Sequence, residues 1–143
     1  MTTTAWTILD QIAETKVTEA REKVSSANQI LKKITAQKIQ LLEMLDDYQK
    51  RLKDSQINSH SIDQNISFRH FIKQVQELLE VITNEEQEAE KKVQIEEDLL
   101  IDALKEKKKS EFLIDRDKQT TQKKIEQQEQ KKYDEMAINR FNQ

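Results

Sequence analysis

The sequence contains no glycine and no proline in its 143 residues. Average proteins contain roughly 7% glycine and roughly 5% proline, so both of the helix-breaking residues are missing together. Tight β-hairpins need residues that tolerate positive φ, and phosphate-binding loops need glycine for close approach of the backbone. The sequence therefore argues against sheet-rich folds and against a nucleotide-binding loop, and it predicts an all-α protein.

Composition narrows the kind of helical protein. Charged residues make up 36% of the chain and hydrophobic residues 35%, which suits a narrow apolar seam between two helices better than a globular core. The 24 basic and 27 acidic residues are interspersed, which disfavours a nucleic-acid partner. The absence of cysteine excludes disulfides and fits a cytosolic location. No apolar run approaches the ~18 residues of a membrane span, so we expect no membrane insertion.

A seven-residue apolar repeat begins at Trp6 and defines the first helix. One line of the repeat contains only apolar or aromatic residues: Trp6, Ala13, Ala20, Ala27, Ile34, Leu41 and Tyr48. The second line is interrupted by one acidic and one basic residue: Asp10, Val17, Val24, Leu31, Lys38, Leu45 and Leu52. This spacing keeps one stripe of a helix in contact with a partner helix through a left-handed supercoil.

The repeat stops in a stretch rich in Ser, Asn and Asp and then resumes in a second helix. We predict one domain over residues 1–143, with a helix at about 4–57, a connection at about 58–67 and a helix at about 68–141. The second seam contains several polar interruptions: Phe68, Ile72, Val75, Leu79, Ile82, Glu86, Ala89, Val93, Glu96, Leu100, Ala103, Lys107, Ser110 and Ile114.

Folding the chain about residue 62 places apolar residues opposite apolar residues in most layers. It also brings residue 4 opposite residue 120, so about 23 residues of the second helix extend past the first. The predicted fold is a long two-helix antiparallel coiled-coil hairpin, with the C-terminal helix projecting beyond the N-terminal one. A polar helix of this length is marginally stable alone, so the projection needs a partner or frays.

The sequence offers little for catalysis or metal binding. Its two histidines, His60 and His70, lack further ligands at the spacing of a zinc site. Its carboxylates lie on exposed helical faces, without an apolar pocket that would raise a pKa. We therefore expect no enzyme activity, no metal and no cofactor. The basic run at 105–109 could meet an acidic partner or a phospholipid surface, although a solvated face is the simpler interpretation.

Apolar residues near the connection exceed what one seam can bury. On the first helix they are Ile39, Leu41, Leu42, Met44, Leu45 and Tyr48. On the second they are Phe68, Phe71, Ile72, Val75, Leu78, Leu79, Val81 and Ile82. Two helices bury only the stripes that face each other, so part of this surface should stay exposed. A binding site for another protein is the favoured interpretation, and a wider local core or a dimer contact is the alternative.

Three local motifs carry a resemblance to a known family. They are Leu42-Glu43-Met44-Leu45-Asp46-Asp47-Tyr48-Gln49, Phe71-Ile72-Lys73-Gln74 and Lys131-Lys132-Tyr133-Asp134-Glu135-Met136-Ala137. With the length and the two-helix layout, they resemble FliJ, the soluble component of the flagellar type III export apparatus, over nearly the whole chain. The resemblance implies a cytoplasmic coiled coil similar to the central stalk of rotary ATPases. It also implies peripheral association with the export apparatus at the inner face of the cell membrane.

The resemblance further implies protein partners and no catalysis by the chain itself. The expected partners are the hexameric flagellar export ATPase, which the chain would bind and stimulate, the export gate protein FlhA, and substrate-specific export chaperones. We expect the free chain to be a monomer. Two alternatives stay open at this point, because the motifs are short. One is the equivalent stalk protein of a virulence type III secretion system, and the other is a generic self-associating coiled-coil scaffold.

Two sets of binding residues are carried over from the resemblance. The expected ATPase-binding residues lie at the free helix ends: Trp6, Ile12, Ala13, Val17, Tyr133, Asp134, Glu135 and Phe141. The expected gate-binding residues lie near the connection: Leu41, Leu45, Tyr48, Leu52, Phe71, Val75, Leu78 and Ile82. Leu52 and Ile82 depart from the family pattern. Several gate residues also lie on the heptad lines, and Tyr48 and Phe71 are the two expected to be exposed.

Overall fold

The computed structural model describes residues 2–57 and 62–142 of the chain. It contains helix α1 at Thr2–Ile57 and helix α2 at Ile62–Phe141. These two ranges contain no β-strand, and the two helices pack against each other. The prediction of an all-α two-helix hairpin is therefore confirmed.

The chain divides into two compact units, and each unit contains a stretch of both helices. The end unit contains the residues up to Glu19 and those from Leu100 onward. The connection unit contains Ala20–Leu99. The prediction that residues 1–143 form one domain is not tested by this division and stays a prediction.

Contacts within the connection unit show that its helices are antiparallel. Ser55 Oγ donates a hydrogen bond to Asn65 Oδ1 over 2.6 Å. Further from the connection, Lys38 Nζ donates to Glu86 Oε1 over 3.0 Å. The α1 residue number falls while the α2 residue number rises, which occurs only when the two helices run in opposite directions.

The predicted heptad lines form the seam between the helices. Every α1 residue on the two lines, from Trp6 to Leu52, is buried or half-buried, and so is every predicted seam residue of α2 from Phe68 to Ile114. The side chain of Val17 is only 2% exposed. Full burial of such a side chain contributes about 1.5–3 kcal/mol, so these apolar layers hold the helices together.

Helix α2 begins at Ile62, six residues before the predicted start at about residue 68. Asn65 continues the seam in this first stretch, where it is half-buried and accepts the hydrogen bond from the buried Ser55. Asp63 lies in the first turn, where a negative charge stabilises the helix N-terminus. The polar layer formed by Ser55 and Asn65 therefore continues the seam, and α2 includes residues that the composition had predicted to be part of the connection. The rest of that predicted connection, 58–61, lies outside the described residues.

The last part of α2 in the end unit has no cover from α1. Asp117 is its last half-buried residue, and every residue from Lys118 to Asn142 is exposed. The cleft that α2 forms with the start of α1 reaches Gln122. We call residues 123–142 the overhang, which is about 30 Å of helix. The predicted projection of the C-terminal helix is therefore confirmed.

Candidate interaction surfaces

The seam of the connection unit contains one ionic layer. Lys38 Nζ lies 3.0 Å from Glu86 Oε1, and Thr35 Oγ1 donates to Glu86 Oε2 over 3.2 Å. The Lys38 side chain is 27% exposed and that of Glu86 16% exposed. Lys38 and Glu86, two of the polar residues that interrupt the heptad lines, therefore satisfy each other across the helices.

A second polar group in the seam, Glu96, is less well satisfied. The residue is 5% exposed, and its Oε1 forms an ion pair with Lys92 Nζ over 2.8 Å. Its Oε2 is buried and has no hydrogen-bond partner among the described residues. Because an unsatisfied buried polar atom typically costs about 1–3 kcal/mol, Glu96 is a weak layer of the connection unit.

The end unit contains its own ionic contact across the helices. Lys107 Nζ forms an ion pair with Glu14 Oε2, and Glu111 of the same helix lies 3.9 Å away. The hydrogen bond to Glu14 raises the pKa of Lys107 above the ordinary lysine value, with a smaller contribution from the charge of Glu111. The Lys107 side chain is 27% exposed, so the predicted seam position is occupied by the aliphatic stem of a paired lysine.

A cleft of about 450 Å³ lies where α1 begins, beside Trp6. Most of the residues that line it are polar, while Trp6 and Ile114 are apolar: Trp6, Thr7, Asp10, Ile114, Asp117, Lys118, Thr121 and Gln122. The Nε1 atom of Trp6 and the Oδ1 atom of Asp10 are buried there without a hydrogen-bond partner among the described residues. The seam is therefore less completely satisfied at this end than at the Lys38–Glu86 layer.

The overhang carries an exposed apolar stripe. Tyr133 is 68% exposed, Met136 63% and Phe141 92%. These residues line one shallow surface with Ala137 and Arg140. Tyr133, Met136, Ala137 and Arg140 fall at i, i+3, i+4 and i+7, so they share one face of the helix. Ile138, which is 60% exposed, lies on the side of the helix opposite Met136 and Tyr133, beside Phe141.

The eight ATPase-binding residues expected from the resemblance fall into three environments. Ala13 and Val17 are buried in the seam, and Trp6 is half-buried at the cleft. Ile12, Tyr133, Asp134, Glu135 and Phe141 are exposed. Asp134 Oδ1 accepts a hydrogen bond from Gln130 Nε2 over 3.3 Å, one turn before it on the same helix. The exposed apolar members of the set are therefore Ile12, Tyr133 and Phe141.

Six of the eight expected gate-binding residues lie in the seam. Val75 and Ile82 are buried, and the four on α1 are half-buried: Leu41, Leu45, Tyr48 and Leu52. Only Phe71, at 46%, and Leu78, at 53%, are exposed. Each directly precedes a seam residue of α2, so both lie along one edge of the seam, where α1 contributes Met44, which is 45% exposed. We call Phe71, Leu78 and Met44 the edge surface.

Tyr48 is not exposed as expected, because Phe71 covers it. The two rings stack with centroids 5.6 Å apart and planes inclined by 14°. The guanidinium carbon of Arg51 lies 5.9 Å from the centroid of the Tyr48 ring, within the range of a cation–π contact. His70 approaches Phe71 with a centroid distance of 6.4 Å. The two aromatic residues therefore form one rigid element at the seam edge, of which Phe71 is the accessible part.

The part of the chain that the structure describes shows neither a cluster of metal-binding side chains nor a helix that could span a membrane. Residues 2–57 and 62–142 contain no cluster of His, Asp or Glu that could hold a metal ion. None of the described helices is long and apolar enough to cross a bilayer. The prediction for His60 lies outside the described residues, and His70 is exposed.

Sequence reasoning missed part of the apolar surface of the end unit. Ile8 and Leu9 on α1 and Phe112 and Leu113 on α2 are 43–67% exposed. Leu9 and Leu113 directly precede a seam residue, and Ile8 and Phe112 stand two positions before one. Large apolar residues that repeat off the heptad lines were the available signal, and near the connection the same signal did indicate an exposed surface.

The fold and these surfaces define a two-helix coiled-coil protein with exposed apolar faces and a buried seam that contains ionic layers. The model of the family described as "Flagellar FliJ protein" matches residues 7–143. The chain belongs to the FliJ family, a family of flagellar protein export, and the resemblance drawn from the three motifs is confirmed. No curated protein and no solved structure matches the chain.

Proposed function

We propose that this chain is a stalk-like adaptor of flagellar protein export, which binds and stimulates the hexameric export ATPase through its overhang. The observation that carries the proposal is that every residue from 118 to 142 is exposed. A single polar helix in water is marginal without packing, so a partner is the physical means of keeping the overhang ordered.

The apolar stripe of the overhang supplies the contact. Tyr133, Met136 and Phe141 are each more than three-fifths exposed, and they share one face with Arg140. Burial of each large apolar side chain contributes up to about 1.5–3 kcal/mol before the cost of association is subtracted. One stripe of this size is sufficient for a moderate affinity, and the exposed Ile12 on α1 adds to it.

The edge surface is our proposed contact for the export gate protein FlhA. Phe71 and Leu78 are the two accessible residues of the expected set, and Met44 enlarges the surface from α1. The stack of Tyr48 on Phe71 holds one of these anchors in a fixed position, which lowers the entropy lost on binding. The seam residues of the expected set then act by holding the two helices in place.

Two further parts of the proposal rest on family membership without an assigned surface. They are the engagement of substrate-specific export chaperones and a cytoplasmic location at the export apparatus. Our proposal assigns the chain no reaction of its own, so its effect on the ATPase is mechanical and depends on contact.

The ATPase proposal is tested with the cognate export ATPase and matched variants of the overhang. Met136→Asp and Ile138→Asp replace residues of similar exposure, 63% and 60%, on opposite faces. We expect the intact chain to raise the ATPase rate and to promote hexamer formation, and Met136→Asp to remove most of that effect. Ile138→Asp should keep it. Equal effects of the two variants, or no stimulation by the intact chain with a competent ATPase, would refute the proposal.

The gate proposal has its own pair of variants. Leu78→Asp changes the edge surface, whereas Leu42→Asp changes a residue of similar exposure, 47%, on the other edge of the seam. In a binding assay with the cytoplasmic part of the gate protein, Leu78→Asp should weaken binding about tenfold and Leu42→Asp less than about twofold. Loss of binding in both variants, or in neither, contradicts the assignment.

A further inference from the structure

The end unit carries an apolar surface that neither the seam nor the overhang accounts for. On α1, Ile8, Leu9 and Ile12 are 51%, 48% and 47% exposed. On α2, Phe112 is 67% exposed and Leu113 43%. We call these five residues the side patch. A group of large exposed apolar residues on a soluble protein often marks an interaction site.

Register and heptad position place both halves of the side patch on one side of the hairpin. Leu9 directly precedes the seam residue Asp10, and Leu113 directly precedes the seam residue Ile114. In an antiparallel pair, such positions on the two helices line the same edge of the seam. The ion pair between Glu14 and Lys107 sets a register in which residue 9 is level with residue 112. Leu9 and Leu113 therefore flank one groove between the helices, and the other three residues of the side patch extend the apolar surface onto the outer faces of the helices.

Most of the charges that border the side patch are basic, with Asp115, one turn after Phe112, as an acidic exception. Lys16 lies one helical turn after Ile12, while Lys109 and Arg116 lie one turn before and one turn after the α2 half. All three side chains are exposed. Lys109 Nζ lies 3.4 Å from Glu106 Oε1, a long and exposed contact that leaves it available to a partner. A ligand that covers the patch meets positive charge on both helices.

We propose that the side patch binds an acidic amphipathic helix of a partner protein. A third helix fits the groove between two packed helices because its apolar stripe can contact Leu9 and Leu113 on the two sides of the seam. Its flanking carboxylates then meet Lys16, Lys109 and Arg116. A second copy of the chain would bring like charges together, so the basic border argues against self-association at this face.

This inference goes beyond the proposed function and does not rest on the contact between overhang and ATPase. The side patch shares only Ile12 with the residues expected to bind the ATPase, and the variants below leave Ile12 unchanged. Failure of the ATPase experiment would therefore leave this binding intact, and failure of the binding below would leave ATPase stimulation intact.

The test uses the full chain and a synthetic helical peptide without tryptophan, with leucines on one face and glutamates on the other. Trp6, the single tryptophan of the chain, lies within one turn of Leu9 and reports binding through its fluorescence. We expect a dissociation constant on the order of 10 μM. The double variant Leu9→Asp/Leu113→Asp should weaken binding about tenfold or more. Ile101→Asp, at a residue 49% exposed and about 16 Å along α2 from Phe112, should weaken it less than about twofold.

Charge reversal keeps the proposal testable if the apolar variants unfold. The triple variant Lys16→Glu/Lys109→Glu/Arg116→Glu changes only exposed side chains, and it should reverse the preference so that a peptide with lysines in place of glutamates binds better. The proposal is overturned if the intact chain binds both peptides equally or neither of them. It is also overturned if vesicles of phosphatidylcholine and phosphatidylserine bind while the acidic peptide does not, or if the intact chain dimerises through the patch in light scattering.

Discussion

Replacing Glu86 with leucine should destabilise the protein, whereas replacing Lys38 with methionine as well should restore its stability. In the single variant, the Lys38 ammonium group stays in the seam without the carboxylate that lies 3.0 Å from it. Thr35 Oγ1 also loses its acceptor. In the double variant, two apolar side chains of similar volume face each other, and no buried charge is left unpaired.

The size of the effect follows from how much water reaches the pair. Removal of one partner from a fully buried pair costs about 3–5 kcal/mol. The Lys38 and Glu86 side chains keep 27% and 16% of their exposure, and the long lysine stem can move its charge toward solvent, so a smaller loss is expected. We expect Glu86→Leu to lower the free energy of unfolding by about 2 kcal/mol, or the melting temperature by about 4–8 °C. The double variant should equal or exceed the parent.

Circular dichroism at 222 nm with urea and heat measures all four members of this double-mutant cycle. The exposed pair of Lys50 and Asp46 provides the control, since its side chains are 73% and 65% exposed, and Asp46→Ala should change stability by less than about 1 kcal/mol. A double variant that is less stable than the parent would refute the reasoning. It would mean that the ionic layer stabilises the hairpin outright and does more than satisfy its own buried charges.

Three further predictions concern single layers. Glu96→Leu should raise the free energy of unfolding by about 1–2 kcal/mol, because the buried Oε2 of Glu96 has no hydrogen-bond partner among the described residues. Urea titration measures this change, and a loss of stability would contradict the prediction. A double-mutant cycle of Tyr48→Leu and Phe71→Leu should give a coupling energy of about 0.5–1.5 kcal/mol for the stacked rings, and a value near zero would contradict the stack. The pKa of Lys107 is raised in the folded protein, first by its hydrogen bond with Glu14. The charged lysine therefore stabilises the fold fully below the ordinary lysine pKa of 10.5, and this stabilisation is lost as the pH rises through the higher folded-state pKa. The melting temperature should therefore fall less between about pH 10 and about pH 12 in Lys107→Met than in the parent.

The heptad pattern was sufficient to predict the fold because burial in a two-helix seam depends on position alone. The interruptions Lys38 and Glu86 were visible in the sequence, and folding about residue 62 brings them together, as the structure does. The start of α2 was not predictable in this way. It depends on the hydrogen bond between Ser55 and Asn65, a tertiary contact that overrides the turn preference of a Ser- and Asn-rich stretch.

The binding residues were harder to predict than the fold, because the same apolar residue type serves the seam and the surface. Tyr48 and Phe71 are both aromatic, yet one occupies a heptad line and the other lies beside it, so only the second is exposed. Carrying residues over from a family did not separate the two cases, and six of the eight gate residues fell into the seam. Position relative to the heptad lines is the better criterion for this fold.

The ionic layer has a role that stability alone does not explain. A seven-residue slip of one helix along the other keeps apolar residues opposite apolar residues in most layers, so the apolar pattern cannot determine the register by itself. Such a slip would move Lys38 from Glu86 to Leu79 or Val93, and would bring Glu86 opposite Leu45 or Leu31. Either movement leaves two unpaired charges in an apolar seam, at a cost of several kcal/mol. We therefore expect the pair to select one register at the expense of some stability, and the register determines which exposed residues of α1 and α2 meet on the edge surface.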